Sequence, residues 1–250
     1  MTRVIALYNI KGGVGKTSAS VNLAWLAADG GARVLLWDLD PQGAATYLLR
    51  VKPKIRGGAR KLVRGKSDPA ALLKGTDHER LDLLPGDFSY RNMDLELRDT
   101  KRPAKGLERV LDRLAEDDDY DYVFLDCPPA ISLASESVFR AADVLLVPLI
   151  PTPLSLRTFE QLRSFMATDV AKAPAILAFF SMADGHRPLH AEVIAEMSAA
   201  HRGVLGAVIP AAADVERMAV QRRALAQFAP HGRAGRAYEA LWDELRTRLM

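Results

Sequence analysis

The stretch from Arg3 to Thr17 limits what this chain can fold into more than any other. It reads Arg-Val-Ile-Ala-Leu-Tyr-Asn-Ile-Lys-Gly-Gly-Val-Gly-Lys-Thr. Val4 to Tyr8 is an apolar, β-prone run that leads into a glycine-rich turn. Lys16 and Thr17 end the turn, and Val21, Leu23, Ala24, Leu26 and Ala27 then follow a helical pattern. Strand, glycine-rich loop, Lys-Thr and helix in that order make a phosphate-binding loop. Glycines let backbone N–H groups converge on an anion, and the helix start adds unpaired donors and the positive end of a dipole. In such a loop Lys16 reaches the β- and γ-phosphates and the Thr17 hydroxyl ligates Mg²⁺. One position departs from the usual G-x-x-x-x-G-K-[ST] spacing. Ile10 stands where the first glycine is expected, and an additional lysine, Lys11, opens the compact Lys11–Thr17 loop. A second lysine there points to a second phosphate, held by another subunit.

Two further strand ends carry acids. Residues 33–37 read as a buried strand running into Asp38-Leu39-Asp40-Pro41-Gln42-Gly43. The helix between this strand and the first has the length of a parallel crossover. Parallel α/β sheets bind ligands at the carboxyl ends of their strands, so this turn falls beside the loop. Tyr122 to Leu125 is a third buried strand, ending in Asp126-Cys127-Pro128-Pro129. An acid at that place holds the Mg²⁺ shell in phosphate-loop proteins, and the prolines impose a rigid exit. Cys127 reads as a packed neighbour, because no histidine in that stretch is placed to activate it.

The remainder repeats the alternation. Strands are expected at 81–84, 143–148, 175–180 and 204–209. Helices are expected at 105–116, 132–141, 155–170, 189–200, 212–227 and 235–249. The expected fold class is therefore α/β: one doubly wound, mostly parallel sheet with helices on both faces, in one domain over residues 1–250. Residues 50–80 are expected to form an irregular basic surface insertion with one short helix at 69–74. Between 50 and 74 there are nine basic residues and one acid, Asp68. That stretch reads either as a solvated segment or as a contact surface for nucleic acid or an acidic partner. The net charge of +3 permits nucleic-acid contact without demanding it. A single cysteine leaves no internal disulfide framework and suits a reducing cytosol. The acidic block Glu116–Asp119 reads as a solvated helix end.

On these residues the chain resembles the ParA/MinD family of deviant Walker A ATPases. Lys11–Thr17 is similar to its signature loop, Val34–Gly43 to the segment after its second strand, and Phe124–Pro129 to its Walker B strand. The Asp-Leu-Asp-Pro-Gln run favours the partitioning branch. The resemblance implies a weak ATPase with ATP and Mg²⁺ as cofactors. It implies nucleotide contacts from Lys11, Gly12, Gly13, Val14, Gly15, Lys16, Thr17, Ser18 and Pro210. Thr17, Asp38 and Asp126 are implied around the metal, and Lys11, Lys16 and Asp40 in catalysis. Lys11 would reach the partner's nucleotide in an ATP-bound homodimer, and Asp40 would orient the attacking water. The family's partners follow: nonspecific DNA, through Arg187, Arg217, Arg222 and Arg223 here, and a ParB-like or cargo-adaptor protein that stimulates hydrolysis. The place implied is the cytoplasm, on the nucleoid. The alternatives are a membrane-associated positioning ATPase, whose terminal helix would be residues 237–250, and a metabolic phosphate-loop enzyme.

Overall fold

A computed structural model describes residues 2–117, 119–170 and 173–249. Eight strands are seen among them: β1 (Arg3–Leu7), β2 (Val34–Asp38), β3 (Lys74–Gly75), β4 (Leu81–Leu84), β5 (Tyr122–Asp126), β6 (Val144–Leu149), β7 (Ala175–Ala183) and β8 (Val204–Pro210). The helices are α1 (Lys16–Asp29), α2 (Ala44–Leu48), α3 (Gly58–Val63), α4 (Met93–Arg98), α5 (Gly106–Asp117), α6 (Leu133–Ala141), α7 (Pro153–Asp169), α8 (Pro188–Ala200), α9 (Ala213–Gln221), α10 (Leu225–Phe228) and α11 (Arg233–Leu249). Part of the expected acidic helix end, Asp118, lies outside the described residues.

The sheet runs β3-β4-β2-β5-β1-β6-β7-β8. All its pairings are parallel except the short β3–β4 edge. Side-chain alternation decides the layers. Ile5 and Leu7 of β1 point into one core with Leu36, Phe124 and Leu146, covered by α1, α2, α10 and α11. Ala6, with Tyr8 just past the strand, points into the other with Trp37, Leu125 and Leu145, covered by α3 to α8. Strands buried on both faces need continuous apolar runs, and β2 and β5 supply them. Each fully buried Leu, Ile or Phe contributes about 1.5–3 kcal/mol relative to exposure. The chain turns back at β1, which lies between β5 and β6, so the crevice at its carboxyl end opens at the reversal point.

Three expectations need correction. The 50–80 stretch is not simply an irregular surface segment. Ile55, Ala59, Leu62, Val63 and Leu72 are buried in the core that α3 to α8 cover. The basic residues between them hid that pattern; Lys52, Lys54, Arg56, Arg60, Lys61 and Lys66 are exposed around the buried apolar set. Within it, the helix expected at 69–74 is a single 3-10 turn, Ala70–Leu72, followed by β3. The helix expected at 212–227 is broken, because Arg222 takes a left-handed conformation (φ 49°) that ends α9. Leu225 then starts α10 with its N–H donated to Asn22 Oδ1 at 2.8 Å.

The terminal helix α11 buries Tyr238, Leu241, Trp242 and Leu245 against the sheet. Its Glu244 accepts the N–H groups of Gly206 (2.8 Å) and Ala207 (3.1 Å) on the edge strand β8. The apolar face expected in the membrane alternative is thus spent on the core, and the edge strand is covered. Among the described residues, no helix is long and apolar enough to cross a membrane.

Candidate functional site

The loop between β1 and α1 is anchored from both ends. Asn9 is buried; its amide donates to the Pro148 carbonyl (2.8 Å) and its Oδ1 accepts from the Lys11 N–H (2.9 Å). Gly13 and Gly15 have φ of 70° and 90°, where a Cβ is strained. At Gly15 space is closed as well, since a Cβ would lie 2.7 Å from Ser181 Oγ. Gly15 is also the residue before α1, and the first turn of that helix holds no acid. The bare N–H groups of a 14-residue helix therefore open onto the loop's cavity.

The cavity, about 400 Å³, runs from Gly12 and Gly13 to Ile209 and Pro210. The loop end carries Lys16, Thr17, Ser18 and Asp40, with Pro129 opposite. The far end is walled by Pro210, Ala211, Ala212, Val215 and Tyr238. The loop end is charged and the far end largely apolar, with Glu216 also in the wall, an arrangement suited to a polyphosphate and a flat base. Lys16 is 7% exposed. Its ammonium donates to the Lys11 carbonyl at 3.0 Å, and burial lowers its pKa, opposed by Asp126, Cys127 and Asp40. Val14 is buried and Lys11 half-buried, with no carboxylate within ion-pair distance of Lys11 among the described residues.

Asp38 and Asp126 are register partners on adjacent parallel strands. Both are fully buried. Burial, then for Asp126 the Asp38 charge, raises their pKa values to about 6 and about 8. Their surroundings differ. Asp38 Oδ2 accepts from Thr46 N (2.8 Å) and Thr46 Oγ1 (2.7 Å), and its Oδ1 from Asp40 N (3.2 Å). Asp126 Oδ1 accepts from Ser20 Oγ at 3.0 Å, while Oδ2 has no hydrogen-bond partner. The Thr17 hydroxyl is near enough to favour the charged form of Asp126. A buried carboxylate oxygen without a donor is costly unless a cation completes it. An oxygen-lined place for a divalent cation between Thr17 and Asp126 answers that cost, so the residues fit Mg²⁺.

Cys127 is buried with its thiol pKa pushed up by burial, as befits a packed neighbour. The arginines expected on DNA are not equally available. Arg187 pairs with Asp184 at 3.2 Å, while Arg217 and Arg223 are exposed. Arg222 is committed elsewhere: its Nε donates to the Tyr47 carbonyl at 2.8 Å and its guanidinium lies 4.4 Å from the Tyr47 ring centroid.

Sequence reasoning missed Ser20, Thr46 and Ser181. Ser20 had a usable signal, as it lies four residues past Lys16 and so on the same helix face. Thr46 and Ser181 had none, because their roles depend on the packing of distant elements.

A family model described as an AAA domain matches residues 2–173. The chromosome-partitioning ATPase Soj of Thermus thermophilus is 32% identical over 99% of this chain and 96% of its own length. The chromosome partitioning protein ParA of Caulobacter vibrioides is 31% identical over 83% of this chain and 80% of its own. Among solved structures, cobyrinic acid a,c-diamide synthase from Mycobacterium smegmatis, with a bound ATP analogue and magnesium, superposes with a TM-score of 0.82. It is 27% identical and the match covers 100% of this chain and 96% of that one. Similarity of that extent to whole partitioning proteins matches what the loop and the strand-end aspartates imply, and the chain belongs to the ParA-type P-loop ATPases.

Proposed function

We propose that this chain is an ATP-hydrolysing positioning switch: two ATP-bound copies pair, the pair holds DNA without regard to sequence, and partner-stimulated hydrolysis releases it. The observation that supports the ATPase half is the buried Asp126 Oδ2, which has no hydrogen-bond partner, on a carboxylate close enough to Thr17 and Lys16 to interact with both. The likeness to the Thermus chromosome-partitioning ATPase supports the positioning half.

The residue roles in this reading combine the geometry with what the family resemblance implies. Loop N–H groups from Gly12 to Ser18 hold the phosphates, and Lys16 leaves the Lys11 carbonyl to reach their oxygens. Thr17 and Asp126 hold the Mg²⁺, with Asp38 behind them. When bound, Mg²⁺ neutralises charge on the phosphates. Asp40 stands at the cavity wall, where its carboxylate can orient a water toward the terminal phosphate. Asp38 spends its oxygens on Thr46 and the Asp40 N–H, so it acts on the metal through the shape of the turn. Phosphoryl transfer needs mainly positioning and charge neutralisation, which this set supplies. Lys11 is left to serve a nucleotide on the facing copy. Pro210 and Val215 flank the base. The partner that stimulates turnover is a ParB-like or cargo-adaptor protein, and the working place is the nucleoid.

A biosynthetic reading has one observation behind it, the 27% identity to a synthase. It predicts turnover that needs a small-molecule acceptor. One experiment separates the two. Lys11→Ala and the parent chain are compared by sedimentation with a non-hydrolysable ATP analogue, with and without duplex DNA. The parent pairs and is retained on DNA, and the variant stays monomeric while still binding nucleotide. Pairing by the variant at parental affinity would remove Lys11 from the interface. A parent that never pairs would favour the synthase reading.

A further inference from the structure

Five basic side chains surround one cavity of about 450 Å³ that shares no lining residue with the nucleotide cavity. Arg64 and Lys66 come from the turn after α3, Lys101 from the turn after α4, and Arg109 and Arg113 from successive turns of α5. Asp99 is the acid in its wall. Two of the cations are built in. Arg64 donates to Glu96 (2.9 Å) and Asp99 (2.6 Å), and Arg113 donates to the Ser67 carbonyl (2.8 Å). The turn that carries Lys66 is fixed too: the Lys66 and Ser67 N–H groups both donate to the Lys61 carbonyl, at 2.8 and 3.1 Å, after a left-handed Gly65. Lys66, Lys101 and Arg109 have no carboxylate within ion-pair distance among the described residues.

Like charges brought together repel, by about 1 kcal/mol per pair at 4 Å even in water. Among the described residues no carboxylate lies within ion-pair distance of the three outer cations, and the acids nearby, Glu96 and Asp99, pair with Arg64. An external anion does compensate them. The apolar part of the wall is Leu62, Val63 and Val110, with no aromatic ring to stack on a base. The chemistry recognised is therefore phosphate and not nucleobase. Of the arginines expected on DNA from the sequence, Arg187 is ion-paired and Arg222 is held on Tyr47, while Arg217 and Arg223 are exposed but line no part of this cavity.

We propose that this cavity seats backbone phosphates of duplex DNA, with Lys66, Lys101 and Arg109 as the contacting side chains. The inference rests on the DNA-binding reading above and gives it a location that the nucleotide site does not. Contacts of this kind carry no sequence information and release counterions.

The test is nucleotide-dependent retention of the full chain on nonspecific duplex DNA over a salt series. The triple variant Lys66→Gln, Lys101→Gln, Arg109→Gln is expected to bind more weakly, with a log–log salt slope shallower by about 0.9 for each lost contact, nearly three in all. Its melting temperature and DNA-free ATP turnover are expected to match the parent. The charge-keeping triple Lys66→Arg, Lys101→Arg, Arg109→Lys is expected to keep the parental slope. A parent that binds DNA while the glutamine triple keeps its slope and affinity overturns the site and leaves DNA binding standing. Equal loss in the charge-keeping triple assigns the effect to packing and overturns the site as well. A parent with no nucleotide-dependent retention at any salt defeats the DNA-binding reading, and this site with it.

Discussion

Asp38 and Asp126 occupy equivalent places, opposite each other at the carboxyl ends of neighbouring parallel strands, yet they are built for different work. Around Asp38 the fold has closed. Both oxygens accept protein donors, and the chain beyond wraps back so that Thr46 meets the carboxylate twice. The strand end at Asp126 stays open. One oxygen is held by Ser20 and the other has no hydrogen-bond partner, on a carboxylate that interacts with Thr17 and Lys16. A saturated buried carboxylate shapes a turn, whereas an unsaturated one beside a phosphate loop holds a cation. The family resemblance implied both acids around the metal; their hydrogen bonds differ.

The sharpest way to break this distinction is Asp126→Asn. It keeps the size and the Ser20 contact and removes the charge. ATP turnover is expected to fall by about 10²–10³-fold, the scale of losing one preorganised electrostatic group. The nucleotide-free protein is expected to melt no lower than the parent, because the raised pKa shows that burial penalises the charged form. Parental turnover, measured by phosphate release at saturating Mg²⁺, would mean that Asp126 is as structural as Asp38.

Thr46→Val tests the other arm. The isosteric change leaves Asp38 Oδ2 with the backbone donor alone and strips the Gly86 N–H of its Thr46 Oγ1 acceptor (2.8 Å). The expected cost is about 1–3 kcal/mol in denaturant unfolding. Turnover is expected to fall less than in Asp126→Asn, with Mg²⁺ affinity nearly unchanged. Stability at the parental level would show that the closed network around Asp38 contributes little.

The legibility of the two ends differed for a physical reason. The loop, the strands and the three acids are local: each is written within a few residues, as an apolar run, a glycine pair or an acid at a strand's end. The network that tells Asp38 from Asp126 joins residues far apart, Thr46 to Gly86 and Ser20 to Asp126, across 40 and 106 positions. No periodicity encodes such a meeting. The 50–80 stretch failed differently. Ala59, Leu62 and Val63 do have helical spacing, but basic residues surround them, and charge density was read ahead of period. Nothing local marks the role of Glu244, because only the pairing order shows that β8 is an edge whose N–H groups need an acceptor.

The smallest effect is expected where the Asp38 turn is braced from outside. Arg50 and Arg222 both take left-handed backbone, with φ of 62° and 49°. Arg50 donates to the Arg222 and Gln221 carbonyls, each at 3.2 Å, and Arg222 donates back to the Tyr47 carbonyl beside Thr46. The two arginines thus tie α2, which carries Thr46, to the end of α9, which follows the base end of the cavity at Pro210. Removing Arg222 has two parts with opposite sign. Its hydrogen bond and its stacking on Tyr47 are lost, about 1 kcal/mol together. A glycine there also relieves left-handed strain of about 1–2 kcal/mol, while alanine does not. Arg222→Ala is therefore expected to lower stability by about 1 kcal/mol and Arg222→Gly to leave it near the parent, as read by chemical denaturation. If the brace steadies the turn as well as the fold, both variants lower turnover by the same few-fold factor despite their different stabilities. A loss of turnover that follows stability alone would reduce Arg222 to packing and leave the Asp38 turn to Thr46 and the Asp40 N–H.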